Sequence, residues 1–322
     1  MRLFRNPWPD SGLHTGRDVL RFLGERRTQP RARTPARGSF PVSQPAIQHP
    51  RAGATDFTAT WVGHSTVLMQ FGGLNVLTDP VFSQRAFPVQ WMGPRRVMDP
   101  ALPIHQLPPL DLVLLSHNHY DHLDKPAVKW IAREHPGTTW VVPLGVGRYV
   151  RGWGVRDIVE LDWWQHTGIN GVSVTATPAR HFSGRGPRDR NKSLWCGFAF
   201  AKDGNRGYFA GDTAYHSEFG EIGARCGPFD FVIIPIGAYD PRWFMQIVHV
   251  NPEEAVQIYQ DLVAPHAGMP LPLMLGIHWG TFRLTDEPMD EPPRRTAARW
   301  RAAGLQADRL WIARFGETRQ IV

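Results

Sequence analysis

Six consecutive residues, His117-Asn118-His119-Tyr120-Asp121-His122, directly follow the apolar run Asp111–Ser116. A short apolar run of this kind reads as a buried strand. Its end therefore presents three imidazoles and one carboxylate within six residues. These groups cannot all be ordinary core residues, because an unpaired buried carboxylate costs several kcal/mol. Imidazole and carboxylate together suit zinc, and also iron or manganese. The cluster is read as part of a metal site. One such segment cannot close a coordination sphere alone, so further ligands are expected at other strand ends.

Three single residues meet that expectation. His181 follows the strand-like run Val172–Thr177, Asp212 follows Gly207–Ala210, and His278 follows Leu273–Ile277. Strands are also expected at Phe57–Val62, Thr66–Phe71, Leu74–Thr78, Thr139–Val142, Leu194–Phe200, Phe231–Ile236 and Leu310–Ala313. Gly72-Gly73 marks a hairpin turn. Helices are expected at Lys125–Glu134, Ser217–Ala224 and Pro252–Val263. The last has Asn251 as N-cap, Pro252 at its first position, and Glu253 and Glu254 in its first turn. Strands dominate, with helices between some of them. That pattern predicts sheets with helices packed outside, and chemistry on loops at strand ends.

The string His-x-His-x-Asp-His, followed by separate His, Asp and His, resembles the metallo-β-lactamase superfamily. Within it, the chain is most similar to N-acylphosphatidylethanolamine-hydrolysing phospholipase D and its bacterial relatives. Trp61–Thr66, Leu77–Pro80, Ser116–Asp124, Glu160–Trp164, Phe209–Thr213, Ile234–Met245, His249–Ala255 and Ile277–Phe282 carry this resemblance, and Asn6-Pro7-Trp8-Pro9 fits it too. The resemblance implies an α/β (α+β) fold, a four-layer αβ/βα sandwich with an N-terminal extension and two metals at its open edge. It implies that His117, His119 and His181 hold one zinc, and that Asp121, His122 and His278 hold the other. Asp212 would bridge them, and His249 would face the substrate phosphate as an electrostatic or acid–base partner. Asp79 and Asn118 are assigned the orientation of histidines from outside the metal sphere. His64 and Tyr120 are read as lining the site.

Two adjacent cations make hydroxide available at neutral pH and neutralise phosphate oxygens during in-line attack. The implied reaction is attack of a metal-bound hydroxide on N-acylphosphatidylethanolamine, giving phosphatidate and an N-acylethanolamine. Catalytic roles fall on Asp121, Asp212 and His249. The alternative is a hydrolase of the same fold acting on another ester, lactone or phosphodiester, since fold does not fix substrate. A reading from another class is a non-catalytic metal- or nucleic-acid-binding module. All seven ligand positions are filled, which argues against it, and no nucleic-acid partner is expected.

Charge locates the remaining question. Residues 1–55 hold ten arginines against Asp10, Asp18 and Glu25, and so carry the whole net charge of +7. This stretch reads as a basic, partly extended N-terminal arm with one short helix over Asp18–Arg26; residues 56–322 read as the catalytic domain. A basic arm favours an anionic lipid surface or nucleic acid, or remains a solvated extension. Trp163-Trp164 and Trp243-Phe244-Met245 offer aromatic surface for an acyl chain or membrane, or ordinary core packing. Met1–Leu20 lacks the apolar core of a secretory signal, and two cysteines make no disulfide framework. The expected location is cytoplasmic, peripheral to the inner membrane surface if the arm meets lipid. The expected partner is a phospholipid or other phosphodiester; a homodimer is compatible with the reading.

Overall fold

The computed structural model describes residues 3–8, 14–28 and 32–322. Pro9 of the arm motif, and Arg2, Asp10 and Arg31 of the arm's charges, lie outside the described residues, as do parts of Met1–Leu20. In chain order the elements are α1 (Gly16–Thr28), β1 (Phe57–Gly63), β2 (Thr66–Phe71), β3 (Leu74–Thr78), β4 (Leu112–Leu114), α2 (Lys125–Glu134), β5 (Thr139–Pro143), α3 (Gly147–Gly152), β6 (Ile158–Leu161), β7 (His166–Ile169) and β8 (Val172–Thr177). They continue with β9 (Gly197–Lys202), β10 (Asn205–Phe209), α4 (Phe219–Cys226), β11 (Phe231–Pro235), α5 (Arg242–Met245), α6 (Pro252–Val263), β12 (Leu273–Ile277), α7 (Glu291–Ala302), β13 (Leu310–Trp311) and β14 (Thr318–Gln320).

The strands form two seven-stranded sheets, ordered β14-β1-β2-β3-β4-β5-β6 and β13-β12-β11-β10-β9-β8-β7. Each mixes parallel and antiparallel pairs; β3 to β6 run parallel, whereas β1 to β3 form an antiparallel meander. Strand β2 shows why the layers stack. Val67, Met69 and Phe71 point into the core shared by both sheets, while Leu68 joins a second core with Val128 and Ile131 of α2. Alternate side chains leave opposite faces of a strand, so a strand buried along its whole length must be covered on both sides. On the far side, α6 supplies Val256, Tyr259 and Leu262 to the core and packs against α4 and α7. The result is helix, sheet, sheet, helix, the sandwich that the resemblance implied.

Helix α6 starts as expected. Glu254 N donates to Asn251 Oδ1 at 2.9 Å and Asn251 N donates to Glu254 Oε2 at 3.1 Å, a reciprocal capping box. The arm differs from a solvated extension. Its helix runs Gly16–Thr28, and Phe22 stacks on Phe244 with ring centroids 4.3 Å apart. Trp243 and Phe244 are therefore covered by the arm. Trp163 packs beside Trp195 and Trp8, and Arg225 lies over Trp164. Helices α3 and α7 and the short strands β6, β7 and β14 carry too weak a pattern to be anticipated. In α7 only Pro292, Thr296 and Trp300 are buried, among four arginines. The expected strand at Leu194 begins at Gly197, because Leu194 to Cys196 are buried as loop.

Candidate metal centre

Loops leaving six strands deliver the polar residues to one edge of the sandwich. His64 follows β1, Asp79 follows β3, and the His117–His122 segment follows β4. His181, Asp212 and His278 follow β8, β10 and β12. Local backbone geometry is unusual here. His64, Asp79 and His278 have φ of 53°, 30° and 64°. A left-handed conformation costs a non-glycine residue about 1–3 kcal/mol and persists where the surroundings over-determine it. Gly211, at φ 61°, precedes Asp212; a Cβ there would stand 2.7 Å from Ser116 Cβ, so only glycine brings β10 this close to the histidine segment.

The side chains meet in two groups around one carboxylate. His117 Nε2 lies 2.9 Å from His119 Nδ1, and His181 Nε2 lies 3.2 Å from the same atom. Asp212 Oδ2 is 3.8 Å from both His117 Nε2 and His181 Nε2. On its other side, Asp212 Oδ2 is 3.1 Å from His122 Nε2 and 3.2 Å from His278 Nε2. Asp121 Oδ2 lies 3.4 Å from each of those two nitrogens. One oxygen of Asp212 thus faces both groups. His122 Nε2, His278 Nε2 and Asp212 Oδ1 are buried without a hydrogen-bond partner. Buried polar atoms seldom go unsatisfied, and nitrogen and carboxylate lone pairs converging at this spacing suit divalent cations. The donor set fits a metal pair.

Outer contacts fix the imidazoles. Asp79 Oδ2 accepts from His122 Nδ1 at 2.6 Å, and Ser116 Oγ donates to the same oxygen at 2.6 Å. Ser116 Oγ in turn accepts from His117 Nδ1 at 2.8 Å. His181 Nδ1 donates to Val248 O at 2.8 Å. In each case the proton assigned to Nδ1 leaves Nε2 bare and aimed inward. Asp79 so sets two rings, one directly and one through Ser116. Among the described residues Asn118 makes no side-chain hydrogen bond to a histidine; its Oδ1 accepts from Gly184 N at 2.8 Å and pins the loop after His181. His64 reaches Asp121, with Nε2 3.0 Å from Oδ2.

Electrostatics divide the histidines. Burial, reinforced by neighbouring imidazoles, holds His117 well below its ordinary range and His119 down at about 3. Burial also lowers His181 and His249. Neutral imidazole is the ligating form. His278 is pulled down by burial, but the Asp212 and Asp121 carboxylates beside it push it up to about 9. Burial would raise Asp212; the charges of His122 and His278 override it and hold the carboxyl well below the usual range.

His249 is buried beside this cluster, with Nε2 3.9 Å from Asp212 Oδ2 and Nδ1 lacking a partner. Tyr120 turns the other way. Its ring lies 3.9 Å from the Arg185 guanidinium and its hydroxyl donates to Arg185 O at 2.8 Å. Beyond it opens a cleft of about 760 Å³, lined in part by Tyr120, Trp130, Trp153, Lys125, Lys129 and Arg185. The cleft adjoins the centre through Tyr120 and does not include the clustered histidines. Sequence reasoning assigned no role to Ser116, to Arg185, which donates to Leu123 O at 2.6 Å, or to the Val248 carbonyl. Only the adjacency of Ser116 to the histidine segment hinted at its part.

Known proteins bear on this arrangement. The family described as Beta-lactamase superfamily domain matches residues 74–279. An uncharacterized protein of Mycobacterium tuberculosis is 42% identical over 92% of this chain and 77% of its own length. A protein of Caenorhabditis elegans named N-acyl-phosphatidylethanolamine-hydrolyzing phospholipase D 1 is 42% identical over 70% of this chain and 64% of its own length. A mitochondrial protein of that activity name from Saccharomyces cerevisiae is 36% identical, over 80% of this chain and 55% of its own length. Among solved structures, the isothiocyanate hydrolase from Delia radicum gut bacteria superposes with a TM-score of 0.63 at 17% identity, covering 81% of this chain and 98% of that one. Igni18, a metallo hydrolase from Ignicoccus hospitalis, gives 0.59 at 19% identity, over 83% and 98%. Sheet order, the converging strand ends and these matches lead to one assignment: the chain belongs to the metallo-β-lactamase superfamily and is a metal-dependent hydrolase.

Proposed function

We propose that this protein is a binuclear phosphodiesterase of the phospholipase D type. It would cleave N-acylphosphatidylethanolamine into phosphatidate and an N-acylethanolamine. The observation that carries the reading is the single Asp212 oxygen placed between two three-residue groups. Similarity to the two relatives named for this activity supports the substrate class. In this reading His117, His119 and His181 hold one cation, Asp121, His122 and His278 the other, and Asp212 both. The metal is zinc, with iron or manganese as the alternatives that metal analysis distinguishes. Bound there, the pair supplies Lewis acidity, which acidifies water and neutralises charge on a phosphate.

The chain's own residues do the rest. His64 restrains the Asp121 carboxylate, and Asp79 holds His122. His249, kept neutral by burial beside Asp212, would take a proton from the attacking water and return it to the leaving oxygen. The cleft beyond Tyr120 combines indole faces with cations, which suits a molecule with an acyl portion and an anionic headgroup. The catalytic domain in this reading is 56–322, with 1–55 as its arm. Among the described residues no helix is long and apolar enough to cross a membrane.

The test is a substrate panel with metal content measured on the same preparation. N-acylphosphatidylethanolamines, simple phosphodiesters and lactones are compared. Preferred release of N-acylethanolamine supports the proposal. Faster turnover of lactones or small esters, with no lipid cleavage, replaces it by the alternative hydrolase.

A further inference from the structure

We infer that the N-terminal arm positions His181, with Asn6 as the contact residue. The inference rests on the metal-centre reading above. Two arm segments reach the two supports of this one histidine. Asn6 Nδ2 donates to the His181 backbone carbonyl at 2.9 Å. The same amide is itself fixed, because Trp195 Nε1 donates to Asn6 Oδ1 at 3.2 Å. Phe4 anchors the segment: its N donates to Asn191 O at 2.9 Å, and its ring is buried with Ala179, Leu194 and Trp195.

The imidazole of His181 is held from the opposite side. Its Nδ1 donates to Val248 O, and the N–H groups of Val248 and His249 both donate to Met245 O, at 3.0 and 2.8 Å. Met245 ends α5, and α5 is clamped by the arm. Phe244 is stacked against Phe22 at 4.3 Å and against His14 at 3.7 Å. Trp243 Nε1 donates to Glu25 at 2.9 Å, and Arg21 lies 4.1 Å over the Trp243 ring. Ligand geometry must be held within about 0.5 Å to be productive, and loss of an orienting partner lowers metal affinity about 10–100-fold. The arm is thus a strap that fixes the His181 ring by its backbone and by its free nitrogen. Among the described residues it makes no hydrogen bond or ring contact of this kind with His278, His122 or Asp121.

Two full-chain variants test this. Asn6→Asp keeps an oxygen for Trp195 and removes the donor to His181. Phe22→Ala loosens α1 over α5. Both are checked for wild-type far-UV dichroism, then titrated with Zn²⁺ against a chelator, with bound metal counted per chain. Wild type is expected to hold two ions. Each variant is expected to keep one with wild-type affinity and to release the other at least about 10-fold more readily, with kcat falling and KM nearly constant. Unchanged metal binding in both folded variants overturns the inference while leaving the metal centre intact. An effect of Phe22→Ala alone removes Asn6 from the role. Equal weakening of both ions marks general destabilisation and also overturns it. A wild-type chain that binds no metal removes the metal-centre reading and this inference with it.

Discussion

Replacing Asp79 with asparagine changes no volume and two protonation states. The carboxylate accepts three hydrogen bonds: from Ser116 N at 2.7 Å, from Ser116 Oγ at 2.6 Å and from His122 Nδ1 at 2.6 Å. An amide offers one oxygen and one NH₂ group. If the NH₂ faces Ser116 N, two donors collide in a fully buried site, and an unmade buried hydrogen bond costs about 1–3 kcal/mol. If the NH₂ faces His122, the ring must accept at Nδ1 and carry its proton on Nε2. That nitrogen is the one aimed at Asp212, 3.1 Å away, and it can then no longer bind a metal. Ser116 Oγ also loses its acceptor, which frees the His117 ring, so both groups are disturbed. Loss of such partners lowers metal affinity about 10–100-fold, or about 1.4–2.7 kcal/mol. The assay is chelator competition on wild type and Asp79→Asn, with thermal melting alongside. Affinity within twofold of wild type for both ions would show that Asp79 does not set these tautomers, and the argument fails.

Asp212→Ala removes the oxygen shared by both groups; turnover is expected to vanish with the far-UV dichroism retained, and residual activity above about 1% of wild type contradicts the bridging role. Asn251→Ala breaks the capping box of α6 and is expected to lower stability by about 1 kcal/mol in denaturant titration, with metal content unchanged. Gly223→Ala places a Cβ 2.3 Å from Leu262 O where α4 crosses α6. Overpacking there is expected to cost about 1–3 kcal/mol, and an unchanged melting temperature would show that the two helices separate freely.

Much of this protein was legible before any coordinates. An apolar run ending in His-x-His-x-Asp-His states both a buried strand and a metal-binding edge, because local periodicity and ligand chemistry are properties of neighbouring residues. The capping box of α6 was readable for the same reason: Asn251 and Glu254 meet through three residues of chain. Helix α7 was not, since its arginine-rich sequence buries one narrow stripe that only the neighbouring α6 makes apolar enough to matter. Nor was the fate of the arm. Its charge suggested a solvated or lipid-facing extension, whereas Phe22, Glu25 and Asn6 find partners more than a hundred residues away. Asn118 and Ser116 lie two residues apart beside the clustered histidines. Yet it is Ser116 that bonds a histidine and Asn118 that holds Gly184, because the turn after β4, and not the order of residues, decides which side chain faces inward. Sequence determined which groups exist and which strand ends carry them; only the packing of two sheets brought Asp212 between the histidines, since their distances depend on contacts that no local pattern encodes.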